Sequence, residues 1–87
     1  MKYTFTPKGT CSRRIDIDID ESGKILDLAF TGGCHGNLQG IAALARGMKA
    51  EDLVARLGGI KCGSKATSCP DQLAEALKAI VAGNPGD

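Results

Sequence analysis

The chain has 87 residues, 11 basic and 10 acidic, for a formal net charge of +1. That balance gives no electrostatic reason to expect nucleic acid or an anionic membrane as partner, and no apolar run is long enough to span a bilayer. The length fits one domain, 1–87, which buries only roughly 60–65% of the surface exposed by its unfolded form and gains from a staple such as a metal.

Tyr3 and Phe5 alternate with Thr4 and Thr6, which predicts a short first strand. Pro7-Lys8-Gly9-Thr10 is turn chemistry. From Arg13 the pattern has period two: Ile15, Ile17 and Ile19 face one way, Asp16, Asp18 and Asp20 the other. This predicts a half-buried strand, with the aspartates read as its wet face ahead of a cation site. Glu21-Ser22-Gly23 supplies a turn. Lys24 to Phe30 is the returning strand, with Leu26, Leu28 and Phe30 expected on one face.

A Gly-rich loop, Thr31 to Asn37, comes next. It lacks the Lys-Ser/Thr pair of a phosphate loop and follows a hairpin rather than a βαβ unit, so its glycines are read as letting the backbone wrap closely around Cys34. Leu38, Ile41, Ala42, Ala45 and Met48 then follow helical spacing, interrupted at Gly47. A second helix is predicted over Ala50 to Leu57, with Leu53, Val54 and Leu57 inward, and Gly58-Gly59 ends it. Pro70 suits the first position of a last helix, spanning about Pro70 to Ala82, with Leu73, Ala74, Leu77, Ile80 and Val81 as its apolar stripe. Residues 83–87 read as a frayed tail. Strands followed by helices predict an α+β fold: a three-stranded antiparallel sheet with three helices on one face.

Four cysteines, Cys11, Cys34, Cys62 and Cys69, are a large investment for a chain this size. The N-terminus lacks the apolar segment of a secretory signal, so a cytoplasmic location with reduced thiols is expected, where such cysteines read as metal-binding or redox-catalytic before disulfides. Cys11 enters the second strand and Cys34 follows the third, so the two are expected at the same sheet edge. Cys69 joins them if the last helix docks its N-terminus there. A helix N-terminus carries about half a positive charge and favours a thiolate, which zinc and iron–sulfur clusters require. Lys61, Lys65, Arg13 and Arg14 read as a solvated rim ahead of a source of potential. The spacing has no C-x-x-C knuckle. It leaves open a metal or cluster, redox-active thiols, or ordinary buried cysteines. His35 adjoins Cys34, and adjacent residues rarely share one mononuclear site, so His35 is placed around the sulfurs or on the surface.

Thr67-Ser68-Cys69-Pro70-Asp71 spells the motif of the TSCPD domain family. With Gly33-Cys34-His35-Gly36-Asn37 and Cys11, the whole chain resembles that family's small stand-alone, four-cysteine members. The resemblance implies cysteines that bind metal and, because related domains are fused to ribonucleotide reductases, a protein partner of that kind. More distantly, the order of Cys11, hairpin, Gly33-Cys34 loop, Arg46–Leu53 linker and Cys69 with its helix is similar to the NifU/IscU iron–sulfur scaffolds. That resemblance implies convergence of Cys11, Cys34 and Cys69. Arg13 replaces the scaffold's aspartate, Ser68 its histidine, and Cys62 has no scaffold counterpart. These departures point away from a labile cluster and toward a closed four-sulfur site.

The reading is therefore a cytoplasmic metal-binding domain with Cys11, Cys34, Cys62 and Cys69 as ligands and His35, Ser68 and Arg13 around them. Zinc is favoured over an iron–sulfur cluster, and the role is structural or accessory, linked to a ribonucleotide reductase. The alternatives are a dithiol–disulfide relay serving such a reductase, which would make the chain a thiol oxidoreductase, and cluster assembly or delivery. No acid–base pair that would make it an enzyme by itself is visible.

Overall fold

Period-two segments at the start of the chain become three strands in the computed structural model, which describes residues 1–10, 12–33 and 35–82. They are β1 (Lys2–Phe5), β2 (Ser12–Ile19) and β3 (Ile25–Gly32). They form one antiparallel sheet in the order β1-β2-β3. Three helices follow: α1 (His35–Ala45), α2 (Ala50–Leu57) and α3 (Cys69–Val81). Residues 83–87, expected as a tail, lie outside the described residues.

One face of the sheet meets the helices. Ile15, Ile17 and Ile19 of β2 and Ile25 and Leu28 of β3 are buried in one cluster with Ala42 and Ala45 of α1, Ala50 and Leu53 of α2, and Leu73, Ala76 and Leu77 of α3. Tyr3, Phe5 and Phe30 pack half-buried at its margin. The other face stays wet. There Asp16 accepts from the Thr4 hydroxyl at 2.9 Å and pairs with Arg14 at 2.9 Å. Asp20 instead closes the hairpin, accepting from the Ser22 hydroxyl and from the backbone N–H groups of Ser22 and Lys24. These bonds, led by the Ser22 hydroxyl, hold its carboxyl below the ordinary value.

Two irregularities in the hairpin correct the expected faces. Asp18 pairs with Asp27 but Ile19 with Ile25, so Leu26 is an extra residue on β3. A bulge of this kind shifts the inside–outside alternation by one place. Ile25 therefore joins the core, and Leu26, expected inside, is 50% exposed. At the opposite end Ser12 pairs with Gly32 and Arg14 with Thr31, which leaves Arg13 as the extra residue on β2. Arg13 is exposed and Ser12 is turned inward and buried.

Met48 also differs from expectation. The helical spacing includes it, but α1 ends at Ala45 and Gly47 takes φ +87°. The link then runs beside the start of β3: Gly47 N–H donates to the Ile25 carbonyl and Ile25 N–H to that of Met48, each at 2.8 Å. Val81 leaves the apolar stripe of α3 as well. It sits in the last turn at 63% exposure, and Ala76 takes a core place instead.

Candidate functional site

Three segments converge at the end of the sheet where β2 begins and β3 ends. The Ser12–Gly32 pair places the first residue of β2 beside the last of β3. Gly32 and Gly33 both have positive φ, 83° and 77°, a region open to glycine and costly for other residues, so the chain turns sharply on leaving the sheet. The first turn of α3 docks at this same end. Lys8 N–H donates to Gln72 Oε1 at 3.0 Å. Gly9 lies so close that a Cβ built on it would meet the Thr67 methyl at 3.2 Å.

The start of α3 is built by hydrogen bonds. Ser68 is the N-cap: its hydroxyl accepts from Asp71 N–H at 3.2 Å and donates to the Ile60 carbonyl at 2.6 Å. Pro70 sits in the first turn, where its missing N–H costs nothing. In a capping box the acidic residue three places on would reach back to the cap's N–H. Asp71 reaches outward instead. Its Oδ1 accepts from Gly59 N–H at 2.7 Å and its Oδ2 from the Thr67 hydroxyl. Thr67 Oγ1 also accepts from Gln72 Nε2 at 3.0 Å. The loop between α2 and α3 is thus tied down at residues 59, 60 and 67 by side chains of α3 and its cap.

This scaffolding fixes the backbone at Cys62 and Cys69. Cys69 is the first residue of α3, only 8% exposed, where the helix dipole favours negative charge. Cys62 is exposed. It opens a turn in which Lys65 N–H donates to its carbonyl at 3.0 Å, while its own N–H donates to the Thr67 carbonyl at 3.2 Å. Gly63 in that turn has φ +58°.

Both sulfur residues border one pocket of about 260 Å³, whose wall includes Thr10, Asn37, Leu38 and Ile41. In sequence Thr10 immediately precedes Cys11, and Asn37 is three residues past Cys34. Cys11 and Cys34 themselves lie outside the described residues, as does the side chain of His35. Among the described residues no three His, Cys, Asp or Glu side chains stand together as a metal site. Of the other residues expected around the sulfurs, Ser68 is buried with its hydroxyl engaged in the cap, and Arg13 stands exposed on its bulge. Of the expected basic rim, Lys65 lines the pocket and Arg14 is held by Asp16.

A family comparison bears on this arrangement. The sequence profile of the TSCPD domain matches residues 1–81. The chain belongs to the TSCPD domain family. No curated protein and no solved structure matches it. Among the described residues no helix is long and apolar enough to cross a membrane.

The name-giving residues of this TSCPD domain now have physical roles. Thr67 and Asp71 bond each other, Ser68 caps α3, and Pro70 starts it. Four of the five thereby hold the fifth, Cys69, at a helix N-terminus. Gln72 and Gly59 complete the network, and sequence reading missed both. Ser68 followed three residues later by Asp71, before an apolar run, signals the cap of α3 but neither of these two roles.

The Thr67 hydroxyl first, then Gly59 N–H, hold the Asp71 carboxyl below its ordinary value. A carboxyl whose folded pKa is depressed stabilises the fold above its unfolded pKa and loses that contribution as pH falls through the folded one. The stability of the TSCPD domain is therefore expected to fall as pH drops below about 4. Asp71→Asn should flatten the part of that loss due to Asp71, leaving the parts from Asp20 and Asp27, whose carboxyls are also held low. Chemical denaturation of both proteins between pH 6 and the acid limit checks this.

Proposed function

We propose that this TSCPD domain binds one zinc ion through Cys11, Cys34, Cys62 and Cys69, and has a structural or accessory role beside a protein partner, a ribonucleotide reductase. The observation that carries the reading is the pocket shared by Cys62 and Cys69, bordered by Thr10, which immediately precedes Cys11, and by the first turns of α1, which follow Cys34 closely in sequence. The donor set suits the metal. Four thiolates satisfy tetrahedral zinc and leave no position for water or substrate, so the ion would supply folding free energy rather than a reaction centre. The thiols must be reduced for this, which fits the cytoplasmic location expected from the sequence. The link to ribonucleotide reductase rests on the domain family.

Anaerobically purified protein is expected to be colourless, to hold about one zinc per chain, and to show no reactive thiol until a chelator is added. Iron and sulfide with visible charge-transfer bands would give the same residues to a cluster. Protein without metal and with four titratable thiols overturns the proposal.

One observation favours a second reading. Cys62 is exposed and Cys69 buried on the same pocket, an attacking and a resolving thiol by position. In a relay their two thiols would become one disulfide while a disulfide of the reductase became two thiols. Metal content and thiol count separate the readings, since the relay needs free thiols.

A further inference from the structure

Cys69 and Gln72 are three residues apart on α3, and such residues share a helix face. Gln72 is half-buried and its amide bonds in two directions. Nε2 donates to Thr67 Oγ1 at 3.0 Å, and Oε1 accepts from Lys8 N–H at 3.0 Å, across 64 residues of sequence. The orientation of the amide follows from its partners. A backbone N–H can only donate, so the oxygen must face Lys8. The Thr67 hydroxyl proton goes to Asp71, so Thr67 offers Gln72 only lone pairs, and the NH₂ must face it.

Glutamine alone among side chains of this reach and shape meets both demands. Glutamate would satisfy Lys8 and set its second oxygen against the Thr67 lone pairs. Methionine, of similar length, would satisfy neither. The bonds matter for what they join. Thr67 is tied through Asp71 to Gly59 and through its own carbonyl to Cys62 N–H. Lys8 belongs to the loop, anchored by buried Pro7, that leads into Cys11.

We propose that Gln72 is a positioning residue for the sulfur site: it locks the loop leading into Cys11 to the half of the site that carries Cys62 and Cys69. This rests on the reading of the four cysteines as metal ligands. The lock makes the site preorganised, so metal is captured by segments already held together. Removing it is expected to let one segment leave without unfolding the helix, since Gln72 is half-buried and the buried side chains of α3 in the core are Leu73, Ala76 and Leu77.

Two measurements on the whole protein test this: amide exchange at Lys8 by nuclear magnetic resonance, and zinc release to a chelator. Gln72→Met is expected to keep native helix content. Its Lys8 amide should exchange about two- to tenfold faster, the worth of one hydrogen bond. Its zinc should leave about 10–100-fold faster, as when an outer partner of a ligand is lost. Gln72→Glu should restore Lys8 protection but release zinc at a rate between those of wild type and Gln72→Met. Wild-type behaviour of Gln72→Met in both measurements overturns the proposal, and so does a failure of Gln72→Glu to protect Lys8. If Gln72→Met does not fold, Gln72→Glu decides, and wild-type zinc release in that variant overturns the proposal. A wild-type protein that takes up no zinc is a distinct result. It ends the metal reading, and Lys8 exchange alone then decides whether Gln72 holds the loop.

Discussion

Replacement of Cys69 by Ala, or of Cys34 by Ala, is expected to abolish zinc binding and to lower the melting temperature steeply. In a small domain the binding free energy of a structural metal is largely folding free energy, with apparent values of about 10–16 kcal/mol in zinc-finger peptides. Even a loss of about 2 kcal/mol lowers the melting point of a domain this size by roughly 8–16 °C. Cys69 has a second claim on stability, because it is buried at the first position of α3 and its truncation leaves a gap there. The two contributions can be told apart. Thermal melting with excess chelator removes the metal's share, so the difference that remains between wild type and Cys69→Ala is packing. Equal zinc content and equal melting in wild type and both variants would sink the ligand assignment.

Cys62→Ser is the cleaner experiment. The backbone of Cys62 forms the turn with Lys65 and the bond to Thr67, and its exposed side chain packs in no core. The fold should therefore survive the change. Zinc should not stay, because a serine hydroxyl is a poor substitute for a thiolate and leaves the fourth position open. Release to a chelator is expected to speed up by more than about 100-fold, beyond the upper end of what outer partners contribute. Stopped-flow release from the two proteins measures it. If Cys62→Ser holds its metal like wild type and loses electron transfer to a reductase, the thiols work as a relay and the structural reading falls.

The fold was legible because its signals were periodic. Ile15, Ile17 and Ile19 announced β2 and its inner face, and the helical spacing around Leu53 and Leu73 announced α2 and α3. Leu26 was misplaced because a single bulge reverses the alternation after it, and nothing in Ile25-Leu26-Asp27-Leu28 distinguishes the two phases. Met48 was misplaced because helical spacing continues past the chain's departure at Gly47. The convergence of Cys62 and Cys69 was only half legible. Their residue type named them, but what brings them to one pocket is a set of bonds to backbone atoms of Gly59, Ile60 and Thr67, and backbone atoms carry no sequence signature. Gln72 was invisible for the same reason, since its partner lies 64 residues away.

That network is unequal in what it asks of its two sides. On the α3 side the bonding groups are side chains: Thr67, Ser68, Asp71 and Gln72. On the other side they are main-chain groups at residues 8, 59 and 60. Mutation can exchange the side chains of Lys8 and Ile60 freely and leave every one of these bonds in place, while Gly59 is held only by its φ of +88°. The half of the site carrying the helix cannot drift in this way. As a sequence of this type diverges, the memory of the site should persist as a short run ending at Gln72, while the segments it grips keep little besides their cysteines and Gly59.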